Sequence, residues 1–268
     1  MKDYLKQIVA QAPDSRIAGL LIREYFQARI LEAIQESGGF QAWAFVGGTA
    51  LRFLYSIPRF SEHLDFSLSS VGEEDNFSRI LKKCEKTFSA EGYDVIIRAD
   101  EEKEVKSAFI KFHGILNELG LSPLQSARLS IKVEIDTNPP DGAVLEASVV
   151  RKYRILNLLH YDRSSLLAGK LHALLARDYI KGRDVYDLLW YLADRNWPEP
   201  NLEFLNSALE QTGWEVERVT GSNWRDLIMD KLSGHNWNNI VRDVRPFLED
   251  QQQAAMLTRG NLINLLKG

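Results

Sequence analysis

Two short segments carry residue types that could bind phosphates and a metal ion. In FVGGTALR at 45–52, an apolar run meets Gly47 and Gly48 and continues into a helix-forming stretch that begins at Thr49. Glycines let the backbone approach a ligand closely, and a helix N-terminus offers unpaired N–H groups and a partial positive charge. The pattern predicts phosphate binding, with Arg52 and Arg59 able to complete a cationic rim. A tight turn with Thr49 as N-cap would also produce it.

The second segment, RFSEHLDFSL at 59–68, predicts a strand with one polar face. Because side chains alternate along a strand, its Leu and Phe residues would face the core, and His63, Asp65 and Ser67 would point together toward solvent or a cleft. A carboxylate on a strand beside a glycine turn can hold Mg²⁺ against a triphosphate. Asp65 is therefore the first candidate metal ligand, although a solvated polar strand face would have the same pattern.

An acid on a neighbouring strand could share a metal ion with Asp65 or act as a general base. RLSIKVEID at 128–136 alternates polar and apolar residues, which puts Glu134 and Asp136 on one face with Lys132. Both acids are candidates. A plain Lys132–Glu134 pair on an exposed sheet face stays open as the alternative.

Lys170 lies in an otherwise apolar helical stretch, SSLLAGKLHALLAR at 164–177. A charge in such a place is costly without an anionic partner, and a triphosphate would be one, with Arg177 on the same helix face. The segment KGRDVYDL at 181–188 follows and contains Asp184 and Asp187. These acids either belong to the same site or cap the helix that begins there, paired with Arg177.

The Gly47-Gly48 turn, the helix after it and RFSEHLDFSL together resemble the signature of AbiEii/AbiGii-type nucleotidyltransferases, toxins of bacterial two-gene toxin–antitoxin and abortive-infection systems. The resemblance covers roughly residues 40–195 and is strongest at 45–68 and 168–190. The helix Lys and the Arg-Asp-x-x-Asp run also match a motif of this family, which implies that Arg183 belongs to the site wall.

The resemblance implies roles for the residues that match the motifs. Glu134 matches the strand acid of the family, and Asp136 is the reserve. The implied catalytic residues are Asp65, Glu134 and Lys170; the nucleotide-binding residues are Gly47, Gly48, Thr49, Arg52, Lys170, Asp184 and Asp187; the metal ligands are His63, Asp65 and Glu134. The implied cofactor is Mg²⁺ or Mn²⁺, with a nucleoside triphosphate as substrate.

His63 departs from the family, in which this strand usually reads Asp-Leu-Asp-Phe and supplies two carboxylates two residues apart. Imidazole suits Zn²⁺ or Mn²⁺ better than Mg²⁺, which prefers oxygen ligands. Glu62 does not replace the missing acid, because strand alternation sends it to the opposite face. Three hypotheses stay open: an enzyme with one or an altered metal, an enzyme that uses His63 for proton transfer, and a binding fold without turnover.

The predicted function is a metal-dependent nucleotidyltransferase that acts as the toxin of a toxin–antitoxin pair. It would transfer NMP from an NTP to an acceptor, for which the family suggests a tRNA end, and a cognate antitoxin protein is a further possible partner. The alternative is a non-catalytic nucleotide-binding module, or a protein-interaction module that binds no nucleotide. The base, the acceptor, the metal and the oligomeric state are not specified by the sequence.

The elements that must position these residues form an α/β front half and a helical back half. Strands are predicted at 42–46, 64–68, 93–98, 107–112, 127–136 and 145–150, and helices at 16–36, 49–55, 73–91, 165–180, 183–194, 200–212, 222–232, 236–249 and 252–267. Since strands and helices do not alternate strictly, a mixed sheet is expected. The prediction is an α+β nucleotidyltransferase (DNA polymerase β-like) domain at 1–160, and at 161–268 a C-terminal helical bundle that contributes Lys170, Asp184 and Asp187 to the cleft.

Composition is that of an ordinary globular protein, with 268 residues, 45% hydrophobic and 26% charged. The net charge of −4 does not indicate nucleic-acid binding by bulk electrostatics, so an RNA partner would need a local basic patch. The single cysteine, Cys84, excludes an internal disulfide and is expected on a buried helix face. Without a signal peptide or a long apolar segment, the expected location is the cytoplasm, with no membrane partner.

Overall fold

The structure, a computed structural model, describes residues 2–267 and divides into two compact units. The first contains the chain up to Tyr55 together with Phe60–Pro139 and Ala147–His160. The second contains Ser56–Arg59, Pro140–Glu146 and the chain from Tyr161 onward. This division differs from the predicted 1–160 and 161–268 domains by the two short segments, and the end residues Met1 and Gly268 lie outside the described part.

The order of elements runs from an α/β half to a helical half. The helices are α1 (Lys2–Gln11), α2 (Ser15–Glu36), α3 (Gly47–Tyr55), α4 (Phe77–Ala90), α5 (Ile115–Glu118), α6 (Arg163–Ala176), α7 (Gly182–Ala193), α8 (Leu202–Gln211), α9 (Trp224–Ser233), α10 (Trp237–Val244) and α11 (Arg259–Lys267). The strands are β1 (Trp43–Val46), β2 (His63–Leu68), β3 (Val95–Asp100), β4 (Val105–His113), β5 (Arg128–Asp136), β6 (Leu145–Lys152) and β7 (Arg154–Tyr161). Short 3₁₀ segments lie at Gly39–Gln41, Arg245–Phe247 and Gln251–Met256.

The strands form a mixed seven-stranded sheet in the order β3-β4-β5-β2-β1-β7-β6. β2 pairs in parallel with β5 and β1 in parallel with β7, whereas β1–β2, β3–β4 and β4–β5 are antiparallel. The α+β prediction with a mixed sheet, flanking helices and a helical C-terminal region is confirmed.

Strict alternation on β5 gives this part of the sheet one packed face and one accessible face. Leu129, Ile131, Val133 and Ile135 are buried, and the residues between them are partly exposed. On the packed face, the ring of Phe112 lies 4.3 Å from that of Phe26 on α2 and 4.9 Å from that of Phe88 on α4, measured between centroids. The polar residues of β2 and β5 are therefore left on the opposite face.

Helix α2 begins and ends where the sequence predicts. The Asp14 carboxylate caps it by accepting a hydrogen bond from the Ile17 N–H at 2.7 Å, and Gly38, in the left-handed region at φ 77°, follows its C-terminus. Cys84 is buried on α4 as expected, and burial raises the pKa of its thiol to about 12.

The start of α4 corrects the predicted helix at 73–91. The helix begins at Phe77, and Asp75 lies in the preceding loop, where its carboxylate accepts hydrogen bonds from Lys106 Nζ at 2.7 Å and from the Phe77 N–H at 2.8 Å. Asp75 therefore anchors the loop to β4 instead of lying in the first helical turn.

The sequence patterns missed α1, the short α5 and β7. β6 and β7 are joined through Tyr153, which adopts a positive φ of 58° without a glycine, proline or asparagine to mark the turn. The 145–150 strand was thus predicted too short and the strand after it was not predicted.

Three helices of the back half are shorter than predicted. α6 ends at Ala176, since Arg177 is already extended. The 236–249 helix stops at Val244 because Pro246 lies in the next turn, which is 3₁₀, and the 252–267 helix is split into a 3₁₀ segment and α11. No helix within residues 2–267 combines the length and the apolar character needed to cross a membrane.

Candidate active site

The turn between β1 and α3 brings the backbone against the Asp65 carboxylate. α3 begins at Gly47, whose φ of 75° lies in the left-handed region. A Cβ added at Gly47 would come within 2.7 Å of Asp65 Oδ2, which is shorter than any ordinary contact. The missing side chain at this position therefore lets the carboxylate lie beside the N-terminus of a nine-residue helix, where unpaired N–H groups favour anions.

Thr49 and Arg52 support this turn from inside the fold. The buried Thr49 hydroxyl donates to the main-chain carbonyl of His63, so it ties α3 to β2; because the helix begins two residues earlier, Thr49 is not its N-cap. The Arg52 guanidinium is buried, forms a salt bridge with Glu24 and lies 4.5 Å from the centre of the Phe60 ring. Arg52 thus has an anionic partner within the fold, and a contact between Arg52 and a phosphate stays a prediction.

β2 and β5 bring His63, Asp65 and Glu134 together. Their parallel register pairs Asp65 with Glu134 and His63 with Lys132. One potential ligand atom from each of the three residues lies within 4.8 Å of the other two, and all three are partly exposed. The cluster thus combines two carboxylates and one imidazole on one face of the sheet.

Lys132 belongs to the same cluster. Its Nζ donates to Glu134 Oε1 at 2.6 Å, while Glu134 Oε2 lies 3.9 Å from His63 Nδ1. The Lys–Glu pair considered from the sequence is therefore present, and it leaves one oxygen of Glu134 directed toward His63. Ser67 on β2 and Asp136 on β5, the remaining polar candidates on these strands, are not part of this cluster. Ser67 is buried, and burial raises the pKa of Asp136, the reserve acid.

These residues fit a divalent cation. Ligand atoms bound to one ion at about 2.1 Å lie roughly 3–4 Å apart, so the observed separations need only small side-chain movements. Two carboxylates and an imidazole form a mixed oxygen and nitrogen set, which Mn²⁺ accepts more readily than Mg²⁺ does.

The second unit contains a separate buried cluster of charges. Asp187 is fully buried and accepts two hydrogen bonds from Arg59 at 2.5 Å. Its Oδ2 also forms a salt bridge with Lys170 Nζ at 2.8 Å. Asp184 accepts from Lys170 Nζ at 2.9 Å and from Arg177 Nη1 at 2.7 Å. Lys170 therefore has anionic partners within its own unit, and the predicted pairing of Arg177 with Asp184 is present.

Electrostatics in this cluster favour the charged forms. Burial alone would raise the pKa of Asp184, but Lys170 and Arg177 outweigh it and lower that pKa to about 2. Burial would likewise lower the pKa of Lys170, and the two carboxylates raise it instead. A contact between Lys170 and a triphosphate stays a prediction.

The Arg59–Asp187 pair was not predicted. Its two residues are 128 positions apart, so no local spacing links them. The only indication in the sequence was an arginine next to the polar strand, which had been assigned to a phosphate rim.

A comparison with known families gives one match over most of the chain. The profile described as nucleotidyl transferase AbiEii toxin, type IV toxin–antitoxin system, matches residues 29–259. No curated protein matches the chain significantly.

Solved structures with the same fold include two bacterial proteins. JHP933 from Helicobacter pylori is 18% identical with a TM-score of 0.53, over 92% of this chain and 90% of its own. MenT4, a nucleotidyltransferase toxin from Mycobacterium tuberculosis H37Rv, is 13% identical with a TM-score of 0.50, over 100% of this chain and 98% of its own. At this identity the two structures support the fold alone.

Proposed function

The chain belongs to the AbiEii family of nucleotidyltransferase toxins of type IV toxin–antitoxin systems, and from this premise we propose that it transfers NMP from an NTP to an RNA acceptor in a metal-dependent reaction. The observation that carries the proposal is the cluster of His63, Asp65 and Glu134 beside the Gly47 turn. A tRNA end is the proposed acceptor, and a cognate antitoxin the proposed protein partner.

In this proposal, Asp65, Glu134 and His63 hold the divalent ion, and the N–H groups at the start of α3 bind the triphosphate. When bound, the ion would offset the charge of the phosphates and acidify the acceptor hydroxyl. The acceptor oxygen forms a bond to the α-phosphorus, the bond to pyrophosphate breaks, and the hydroxyl proton passes to water. Positioning and charge neutralisation supply most of the rate enhancement, as in other phosphoryl transfers.

Label transfer tests the proposal. The protein is incubated with each α-³²P-labelled NTP, total tRNA and either Mn²⁺ or Mg²⁺, and the RNA is resolved on a gel. We expect labelled RNA with one or more nucleotides, more in Mn²⁺ than in Mg²⁺, and none with the Asp65→Asn variant.

Asp100→Asn is the matched control, because Asp100 is an exposed acid in the same cross-strand row as Asp65. Along that row, Asp100 is paired with Ser107, Ser107 with Glu134 and Glu134 with Asp65. Equal labelling by the Asp65→Asn and Asp100→Asn variants would show that Asp65 is not a ligand. NTP binding without label transfer to any RNA would favour the non-catalytic binding module instead.

A further inference from the structure

The accessible face of β3, β4 and β5 carries exposed apolar residues beside basic ones. In the strand register, Phe109 on β4 is paired with Arg98 on β3 and with Lys132 on β5. In the next row on the same face, Ile96 on β3 is paired with Lys111 on β4. Register partners point to the same side of a sheet, so these residues share one face. We call Ile96, Arg98, Phe109 and Lys111 the aromatic–basic patch.

Both apolar members of the patch are solvent-exposed. Phe109 is 41% exposed and Ile96 43%, whereas Ala108 and Ile110, the neighbours of Phe109 on the same strand, are fully buried. The ammonium groups of Lys111 and Lys132 lie 5.5 Å and 5.8 Å from the centre of the Phe109 ring. An exposed aromatic ring between cations offers both a stacking surface and neutralisation of a nearby anion.

The basic members of the patch are not held in salt bridges, and Asp100 lies one row from Arg98 on the same face. Within residues 2–267, neither Arg98 nor Lys111 forms a salt bridge, and Arg98 is exposed. This differs from Lys132, which donates to Glu134. The patch therefore offers two cationic side chains that phosphates could contact, on a protein whose net charge is −4.

The patch lies next to the candidate metal ligands on the same sheet face. Phe109 and Lys132 form one cross-strand row, in which Lys132 is also the register partner of His63. The adjacent row contains Glu134 and Asp65, about 7 Å further along the strands. Glu134 also lies one strand across from Phe109 and Asp65 two strands across, at about 4.8 Å per strand, so the two carboxylates are roughly 8 Å and 12 Å from Phe109 over the sheet. A base on Phe109 would therefore leave a sugar one or two nucleotides away near the carboxylates.

We propose that the aromatic–basic patch binds the single-stranded end of the RNA acceptor, with a base stacked on Phe109 and phosphates bound by Arg98 and Lys111. The inference rests on the proposed function for the identity of the acceptor. Single-stranded RNA is recognised by stacking of unpaired bases on aromatic rings together with basic contacts to the backbone, which is the chemistry that the patch presents.

Fluorescence anisotropy tests the patch without turnover. The probe is a fluorescein-labelled, unstructured RNA of about six nucleotides, comparable to the site size of other single-strand-binding surfaces, measured without NTP or metal. We expect Phe109→Ala to raise the Kd about tenfold and Phe109→Tyr, which keeps the ring, to leave it within about twofold.

Val105→Ala is the matched control. Val105 lies on the same strand and face, is 46% exposed and has Asp136 as its register partner, so it is outside the patch. Its Kd should match that of the unaltered protein. In a salt titration, Arg98→Ala and Lys111→Ala should each reduce the slope of log K against log salt by about 0.7, the value for one lost phosphate contact on a single strand.

The outcomes separate the patch from the proposed reaction. Tighter RNA binding by the unaltered protein than by the Phe109→Ala variant supports the patch even if no label is transferred to RNA. Absence of RNA binding, or equal binding by the Phe109→Ala and Val105→Ala variants, overturns it even if label transfer succeeds. If Phe109→Ala weakens binding of the cognate antitoxin but leaves the Kd for RNA unchanged, this face binds a protein and the inference is wrong.

Discussion

Gly47→Ala is expected to damage the metal site through a single added methyl group. The new Cβ would lie 2.7 Å from Asp65 Oδ2 and 3.2 Å from Asp65 Cβ, so the carboxylate must move by several tenths of an ångström or more. Misplacement of a reacting group by about 1 Å can cost roughly 100-fold in rate. We therefore expect label transfer to fall by about 10- to 100-fold and the affinity for Mn²⁺ to fall with it.

The same substitution also strains the backbone, because Gly47 has a φ of 75°. An L-residue in the left-handed region costs about 1–2 kcal/mol, so the free energy of unfolding should drop by roughly that amount. A loss of activity could then be attributed to instability, and a control with the same backbone strain is needed.

Gly92→Ala provides that control. Gly92 has a φ of 81° and nothing within 4 Å of an added Cβ, so it carries the backbone cost without the clash. Both variants are compared by urea unfolding, Mn²⁺ titration and label transfer. Similar losses of stability with a loss of activity confined to Gly47→Ala are expected; equal activity in the two variants would refute the assignment of Asp65 to the site.

Three further predictions follow from the charged residues. Asp187→Asn leaves Arg59 with a neutral partner in a fully buried position, so the free energy of unfolding measured in urea should fall by about 3–5 kcal/mol. The control Asp230→Asn, at an exposed position, should lower it by less than about 0.5 kcal/mol, and equal losses in the two variants would contradict the structure. Because the pKa of Asp184 is lowered to about 2, its carboxylate contributes roughly 2 kcal/mol to the free energy of unfolding at neutral pH, and this contribution is lost as pH falls from about 5 to 2. If the Asp184→Asn variant and the unaltered protein showed the same slope of unfolding free energy against pH in this range, the prediction would be wrong. His63→Asp replaces a nitrogen ligand of the proposed metal site by an oxygen ligand, which Mg²⁺ prefers, so the ratio of label transfer in Mg²⁺ to label transfer in Mn²⁺ should rise about tenfold. An unaltered ratio would exclude His63 as a metal ligand.

Residues whose environment follows from local periodicity were predictable from the sequence. The strict alternation of β5 places Glu134 on the accessible face, and the alternation of β2 does the same for Asp65. Their adjacency depends on the parallel pairing of β2 with β5, which the structure shows; the sequence analysis expected only that the second acid lies on a neighbouring strand.

Features that depend on distant contacts were not predictable. The sequence assigned Arg59 to a phosphate rim, but its guanidinium is buried against Asp187, 128 positions away. Arg52 likewise pairs with Glu24 on α2, and β7 was missed because the turn at Tyr153 lacks the usual turn residues. Side-chain type and spacing do not specify which of several acids a buried arginine will meet.

The replacement of an aspartate by His63 changes the charge of the site as well as its ligand set. The carboxylates of Asp65 and Glu134 and the ammonium of Lys132 together carry one net negative charge, and an imidazole contributes no further negative charge. An aspartate at this position would add another negative charge, which would bind a cation more strongly but repel a triphosphate and an RNA end. If the proposed site and patch act together, a less negative site would favour polyanion entry at the expense of metal affinity. We accordingly expect Mn²⁺ to bind much more tightly when NTP supplies further oxygen ligands than when it is offered alone.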